Sequence, residues 1–381
     1  MKRLGCFLIS IIIVWAALPA AAAEEPDYAG KSYVLMDAAT GTVLAAHNEH
    51  EALAPASVTK VMTLLLIMEA IDGGQIAWTD TVTASASAAA KGGSQVFLKA
   101  GETMSVEDMV KSIAVSSAND CACAMAEHMA VSESAFVDRM NARAAELGLN
   151  DTHFVNCTGL DDDPAAAAHK TSAHDIAVMS RELLTCHPDI KKYTTIWMDS
   201  IRGGTFGLSN TNRLVRFYPD CTGLKTGFTA AAGYCLSASA SRNGLELIAV
   251  VMGAETSQDR FDACRGMLDY GFANFALYTP EVPADAAVPV RLGHADSVSA
   301  VPGSMPELLV KKAEIASITA EVILLPELTA PVHAGDEIGE LVIRSGDQVL
   351  SRVPMVAGAA VERLSWLDLF SLVLQRAVGA A

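Results

Sequence analysis

The spacing of hydrophobic and polar positions changes character along the chain. Ser32 to Asp37 and Thr42 to Ala45, joined by Ala39-Thr40-Gly41, read as a β-hairpin. A dense apolar run from Val61 through Met68 to Ala70 follows Pro55-Ala56-Ser57-Val58-Thr59-Lys60 and stops near Asp72-Gly73-Gly74. This is the signature of a buried helix opened near Ser57, with Pro55 suited to its first turn. Thr81–Thr83 and Val96–Leu98 read as short extended pieces around a loop of small residues. Ser105 to Ala130 is helical in pattern, with Ser105 and Asp108 as a start signal and a break at Ser116-Ser117-Ala118-Asn119-Asp120. Further helices are predicted over Ser134–Leu147, ended by Gly148, and over Ser172–Leu184. From Leu224 the period becomes that of strands. Lys225–Phe228 and Gly233–Ser239 are followed by an Asn243-Gly244 turn and the apolar strand Leu245–Met252, and a helix over Arg260–Phe275 comes next.

Pro280-Glu281-Val282-Pro283 marks a boundary. Beyond it Val288–Leu292, Ile318–Leu325, Glu340–Ile343 and Val349–Pro354 are short β-type runs, with turns at Gly335-Asp336 and Ser345-Gly346-Asp347, which predicts a small all-β domain. The last segment, Val361 to Val378, returns to helical spacing. Leu364, Leu367, Phe370, Leu374 and Val378 recur every three or four residues, and Trp366, Leu369 and Leu372 widen the apolar face. Glu362, Arg363, Asp368 and Arg376 are its charges. A terminal amphipathic stretch with a Trp is expected to lie on a membrane surface, although such anchors favour more basic residues.

Composition narrows the compartment. Lys2 and Arg3, the apolar segment Phe7–Leu18 and Ala21-Ala22-Ala23 have the layout of a signal peptide cleaved after Ala23. No lipid-attachment cysteine ends that segment, since Cys6 stands at its start. Positions 1–23 hold two basic residues and no acid, so the remainder carries 25 basic against 44 acidic residues, a net charge of −19. That balance excludes a nucleic-acid backbone as partner. Eight cysteines become seven after cleavage, an odd number that leaves at least one outside any intrachain pair. There is no Cys-x-x-Cys and no Cys/His cluster with ligand spacing, so neither a metal nor a cofactor is expected.

The chemistry lies in three short motifs in order: Ser57-Val58-Thr59-Lys60, Ser117-Ala118-Asn119 and Lys225-Thr226-Gly227. Residues three apart on a helix share a face, so the Ser57 hydroxyl and the Lys60 amine can meet. A lysine among aliphatic side chains is desolvated, and its pKa falls toward one useful for a base. Ser-x-x-Lys alone would arise by chance roughly once in a chain of this length. The ordered trio, set at a helix start, a helix break and a strand, is far more specific.

With these motifs in place, the chain resembles the low-molecular-mass penicillin-binding proteins that are serine-type D-alanyl-D-alanine carboxypeptidases (peptidase S11 family). The resemblance runs from about Tyr33 to Phe275, and more loosely to the end. It is carried also by Val96-Phe97-Leu98-Lys99-Ala100-Gly101, Leu147-Gly148-Leu149-Asn150-Asp151-Thr152-His153-Phe154, Gly223-Leu224-Lys225-Thr226-Gly227 and Leu268-Asp269-Tyr270-Gly271-Phe272. It implies an α/β (α+β) domain of the β-lactamase/transpeptidase type, an antiparallel sheet flanked by helices, followed by a small all-β domain and a terminal amphipathic helix. The expected division is 1–23 signal peptide, 24–279 serine D,D-peptidase, 280–357 β-rich domain and 358–381 membrane-associating tail.

The same resemblance implies roles. Ser57 attacks the carbonyl between two D-alanines of a peptidoglycan pentapeptide stem and becomes an acyl-enzyme, and Lys60 takes its proton. Ser117 relays a proton to the leaving amine. Asn119 hydrogen-bonds the substrate amide and orients Lys60. Lys225 adds positive potential and Thr226 binds the substrate's terminal carboxylate. Gly227 lets the strand approach, and the N–H groups of Ser57 and Phe228 form the oxyanion hole. Arg260, at a matching family position, and Arg213 are candidate cations for the carboxylate. β-Lactam antibiotics are implied as acylating inhibitors, and the outer face of the cytoplasmic membrane as the location.

Two other readings compete. A β-lactamase would use Glu146 and Asn150 as its Glu-x-x-x-Asn, but the run Asp151–Phe154 that follows matches the carboxypeptidases, and the residues after Pro280 exceed a lactamase. A non-catalytic wall-binding protein would carry degraded motifs, and these are intact. His153, His169 and His174 are expected to be structural, since a lysine base is already present.

Overall fold

A computed structural model describes residues 27–377, except 284 and 306. The signal-peptide reading of 1–23 and Val378 therefore lie outside the described residues. The core of the molecule is a five-stranded antiparallel sheet. In chain order its strands are β1 (Ser32–Asp37), β2 (Val43–His47), β3 (Cys221–Thr229), β4 (Gly233–Arg242) and β5 (Leu245–Ala254), and in space they run β2-β1-β5-β4-β3. Asn243-Gly244 makes the β4–β5 turn with both residues at positive φ, the backbone that such a hairpin demands.

Side chains alternate across a strand, and here both faces are buried. Val34, Met36, Ile248, Val250 and Met252 face one core, and Tyr33, Leu35, Leu247, Ala249 and Val251 face the other. The first core is covered by helices α1 (Lys60–Asp72), α2 (Val106–Ser116), α3 (Asn119–Ala130), α4 (Glu133–Glu146) and α5 (Ala173–Cys186). The second is covered by α6 (Ser257–Asn274), which a capping box of Thr256 and Asp259 starts. Two-sided burial explains why β5 is apolar nearly throughout. It also explains why α1, buried at ten of thirteen positions, shows no amphipathic stripe.

Most predicted elements are present with shifted ends. One is not. Val96–Leu98 forms no strand; Thr81–Thr83 pairs with Thr103–Ser105 instead. The N–H groups of Val96 and Leu98 are taken by the buried Asp120 carboxylate, and the Val96 carbonyl by Arg202. A side chain has replaced the neighbouring strand as hydrogen-bond partner.

Beyond α6, Phe275–Tyr278 pairs with Leu308–Lys311, and Lys312 Nζ donates to the Phe272 carbonyl, tying the second half to the first. The rest of that half is a six-stranded, mainly antiparallel sheet with its own core around Ile338, Leu341, Ile343 and Met355. The terminal helix α7 (Trp366–Ala377) begins later than the sequence pattern implies. Val361 pairs with Val332 in a β-bridge, and Ser365 and Asp368 cap each other's N–H groups at the helix start. Trp366, Leu367, Phe370, Val373 and Leu374 are exposed along α7. Among the described residues no helix is long and apolar enough to cross a membrane. The seven cysteines from Cys121 to Cys264 are unbridged, and five of them are buried.

Candidate active site

Ser57 sits in a 3-10 turn, Ala56–Thr59, immediately before α1. Ala56 holds a left-handed backbone at φ +49°. Its carbonyl accepts from the Thr59 hydroxyl at 2.8 Å and lies against Gly159, where a Cβ would come within 1.8 Å of that oxygen. Thr59 in turn contacts His169 Nε2 at 2.8 Å, and His169 Nδ1 accepts the Val155 N–H. Burial lowers the His169 pKa to about 4, so the ring is neutral and braces the turn. A structural histidine is what the sequence led us to expect there.

Lys60 is fully buried one turn on. Its Nζ lies 3.0 Å from Ser57 Oγ and donates to the Thr158 carbonyl at 2.7 Å. Desolvation lowers its pKa from 10.5 to about 7. Thr158 owes its position to Asn156, whose Oδ1 accepts from the N–H groups of Thr158 and Gly159 and whose Nδ2 donates to Leu160. Asn156 and Thr158 escape sequence reasoning, because a main-chain acceptor carries no residue-type signature. The Asn followed three residues later by Gly is the one available hint of such a turn.

Ser117 caps the C-terminus of α2 in the left-handed region, φ +60°. Its Oγ and Asn119 Oδ1 are both buried and make no hydrogen bond to another protein group. Asn119 Nδ2 donates to the Gly92 carbonyl. The hydrogen bonds of Lys60 go to Ser57 and Thr158, and neither goes to Asn119.

Strand β3 closes the site at the sheet edge. A Cβ on Gly227 would lie 2.6 Å from the Pro55 carbonyl and 3.1 Å from Ser57 N, so the strand packs directly on the turn that holds the serine. Lys225 is buried. Desolvation, then the Lys60 and Arg260 charges, push its amine well below the usual lysine value, and Nζ donates to the Thr226 carbonyl. The Thr226 hydroxyl donates to Thr211 Oγ1 at 2.7 Å. Thr211, tied through its N–H to Val115 at the end of α2, is a further site residue that the sequence pattern does not reveal. Phe228 is exposed and stacks on Tyr234.

The two arginines lie elsewhere than expected. Arg213 opens the short helix Leu214–Phe217 and lines a cavity of about 320 Å³ with Leu214, Phe217, Gln258, Phe261 and Arg265. None of the three motifs contributes to that cavity, because the helix turns Arg213 toward α6. Arg260 is buried, and its Nη1 donates to the main-chain carbonyls of Gly227 and Cys235. It is therefore a bound cation on β3 and β4. Among the described residues no group of His, Cys, Asp and Glu could hold a metal. The site can thus present a serine hydroxyl to a carbonyl, with an amine of near-neutral pKa to take its proton.

The family model described as D-alanyl-D-alanine carboxypeptidase matches residues 19–256, and that described as penicillin-binding protein 5, C-terminal domain, matches 278–363. A Bacillus subtilis protein named D-alanyl-D-alanine carboxypeptidase DacF is 40% identical over 381 residues, covering 96% of each chain. Penicillin-binding protein 5 of Haemophilus influenzae superposes with a TM-score of 0.74 at 30% identity, covering 89% of this chain and 99% of its own. Penicillin-binding protein D2 of Listeria monocytogenes, solved in an ampicillin-bound form, gives 0.57 at 28% identity, covering 65% and 100%.

Two measurements check the geometry. If Ser57 is the nucleophile and Lys60, with a pKa of about 7, its base, the rate at which fluorescent penicillin labels the protein should fall about tenfold per pH unit below neutrality and level off above it. A stopped-flow pH series measures this, and a rate that is flat from pH 5 to 8 contradicts the assignment. Gly227→Ala should slow labelling by at least about a hundredfold, because the new methyl displaces the serine turn. Retention of the parental rate would show that β3 need not approach so closely.

Proposed function

The chain belongs to the D-alanyl-D-alanine carboxypeptidase family of penicillin-binding proteins, and from that premise we propose how this site performs the family's reaction. It is an enzyme of that type. In our reading, neutral Lys60 takes the Ser57 proton while Oγ attacks the carbonyl between the last two D-alanines of a peptidoglycan stem. The tetrahedral oxyanion is met by the N–H groups of Ser57 and Phe228. Each such donor is worth roughly 3–4 kcal/mol in comparable sites. Ser117, with its hydroxyl unspent, relays the proton: it gives its own to the departing D-Ala amine and takes the one Lys60 accepted from Ser57, which returns Lys60 to its neutral form. Water then hydrolyses the acyl-enzyme. Asn119 Oδ1, equally unspent, accepts the substrate amide N–H.

The terminal carboxylate is taken by the hydroxyls of Thr226 and Thr211 beside Lys225. An arriving anion pushes the Lys225 pKa back upward, against the burial that lowers it. The observation that carries this reading is the 3.0 Å approach of a fully buried lysine amine to Ser57 Oγ. β-Lactams acylate the same serine. Ser57→Ala should therefore abolish both D-Ala release from a pentapeptide stem and the penicillin adduct, read by amino-acid analysis and intact mass. A variant that still releases D-Ala would end the reading.

We place the protein on the outer face of the cytoplasmic membrane after export, held by α7. Its support is the row of exposed Trp366, Leu367, Phe370, Val373 and Leu374 on a helix that, over the described residues, is not long and apolar enough to span. The full chain should co-sediment with phospholipid vesicles, and a chain ending at Arg363 should remain in the supernatant. Equal sedimentation of both would remove α7 from this role.

A further inference from the structure

Arg260 is buried, and it touches the site through one peptide group. Its Nη1 donates to the Gly227 carbonyl at 2.8 Å and to the Cys235 carbonyl at 3.3 Å, and Nη2 lies 3.4 Å from Ser257 Oγ. The guanidinium carbon sits 5.2 Å from the Tyr234 ring centre and 4.9 Å from that of Phe261. Two rings and two carbonyls fix it. Nε is buried without a hydrogen-bond partner.

The Gly227 carbonyl and the Phe228 N–H belong to the same peptide unit. In a trans peptide these two groups point in opposite directions. A cation held on the carbonyl therefore does two things to the N–H on the far side. It fixes the plane, so the N–H has one aim. It also draws electron density toward the oxygen, which makes the N–H a stronger donor, as in any hydrogen-bonded chain. A charge-assisted hydrogen bond is itself about twice as strong as a neutral one. The absent Gly227 side chain, meanwhile, keeps this peptide against Ser57 N, the other donor.

We propose that Arg260 is a positioning residue for the oxyanion hole, acting through the Gly227–Phe228 peptide, and not a ligand of the substrate carboxylate. The proposal rests on the acylation chemistry proposed above for Ser57. It makes the loss on removing Arg260 independent of whether the acyl donor carries a carboxylate. The residue that speeds acylation then touches no part of the substrate.

The test compares the parent, Arg260→Ala and Arg260→Lys as full chains. Acylation of Ser57 is followed with benzylpenicillin and its methyl ester, and the ester carbonyl stretch of the acyl-enzyme is read by isotope-edited infrared spectroscopy. Arg260→Ala should slow acylation by roughly 10- to 100-fold, less than the full loss of an oxyanion donor. The factor should be the same for both compounds, with the dissociation constant of the initial complex unchanged. The carbonyl stretch should move to higher frequency as its polarisation weakens, and Arg260→Lys should recover part of both effects. A loss confined to benzylpenicillin would make Arg260 a carboxylate ligand and overturn the proposal. So would an unshifted carbonyl stretch in the variant, which also separates this role from general destabilisation. Failure of the parent to form any Ser57 adduct would instead sink the functional reading beneath it.

Discussion

Everything in the catalytic half depends on keeping one amine dry. Lys60 has no exposed surface, and its two hydrogen-bond partners are the Ser57 hydroxyl and a main-chain carbonyl. Lowering its pKa from 10.5 to about 7 corresponds to about 5 kcal/mol of net penalty on the ammonium form, with desolvation as its largest cause. A nearby carboxylate with clear access would reverse that shift. Asp120, a carboxylate whose charge acts on Lys60, accepts the N–H groups of Val96, Leu98 and Cys121. The same carboxylate that organises the loop beside the cleft thus pulls the Lys60 pKa upward, by less than burial lowers it.

The surrounding framework follows from that need. A dry lysine requires a helix buried all round, so α1 lies between the sheet and four other helices. A buried helix cannot offer its serine to a ligand from mid-length. Ser57 is therefore placed in the turn before α1, where the chain still borders the sheet edge. Forming that turn puts Ala56 at positive φ, and the strain is offset by Thr59, His169 and the side-chain-free surface of Gly159.

Much of this was legible in the sequence, and the reasons for the gaps are physical. Ser57 and Lys60 announce themselves because helical spacing is fixed, and Lys225-Thr226-Gly227 because it stands in a strand-period run. Ser117 and Asn119 were found at a break in a helical pattern, and the break is real: Ser117 is the left-handed cap that separates α2 from α3. Thr158 was hidden because it acts through its carbonyl, and Thr211 because a lone threonine in a loop looks like any other. Val96–Leu98 has strand-like residues, but a buried aspartate 22 to 24 positions away outcompetes a strand for their N–H groups. The arginines were misplaced for a related reason. Sequence gives a charge and a neighbourhood, while the direction of a long side chain is set by what it can stack on and donate to, here the rings of Tyr234 and Phe261 and two carbonyls.

An edge strand is ordinarily a liability, because one side of its backbone lacks partners. Here β3 is that edge, and three of its positions are held by neighbouring groups. Asn212 Nδ2 donates to the Gly223 carbonyl, Lys225 Nζ folds back on the Thr226 carbonyl, and Gly227 lies against Pro55 and Ser57. The strand cannot slip by a residue without driving a side chain into the serine turn, because register and face are coupled at a period of two. The glycine that allows close approach therefore also fixes register, and with it the placing of Lys225 and Thr226. One missing Cβ couples the alignment of the sheet to the geometry of the nucleophile, which is why the edge strand and the helix before it behave as a single catalytic element.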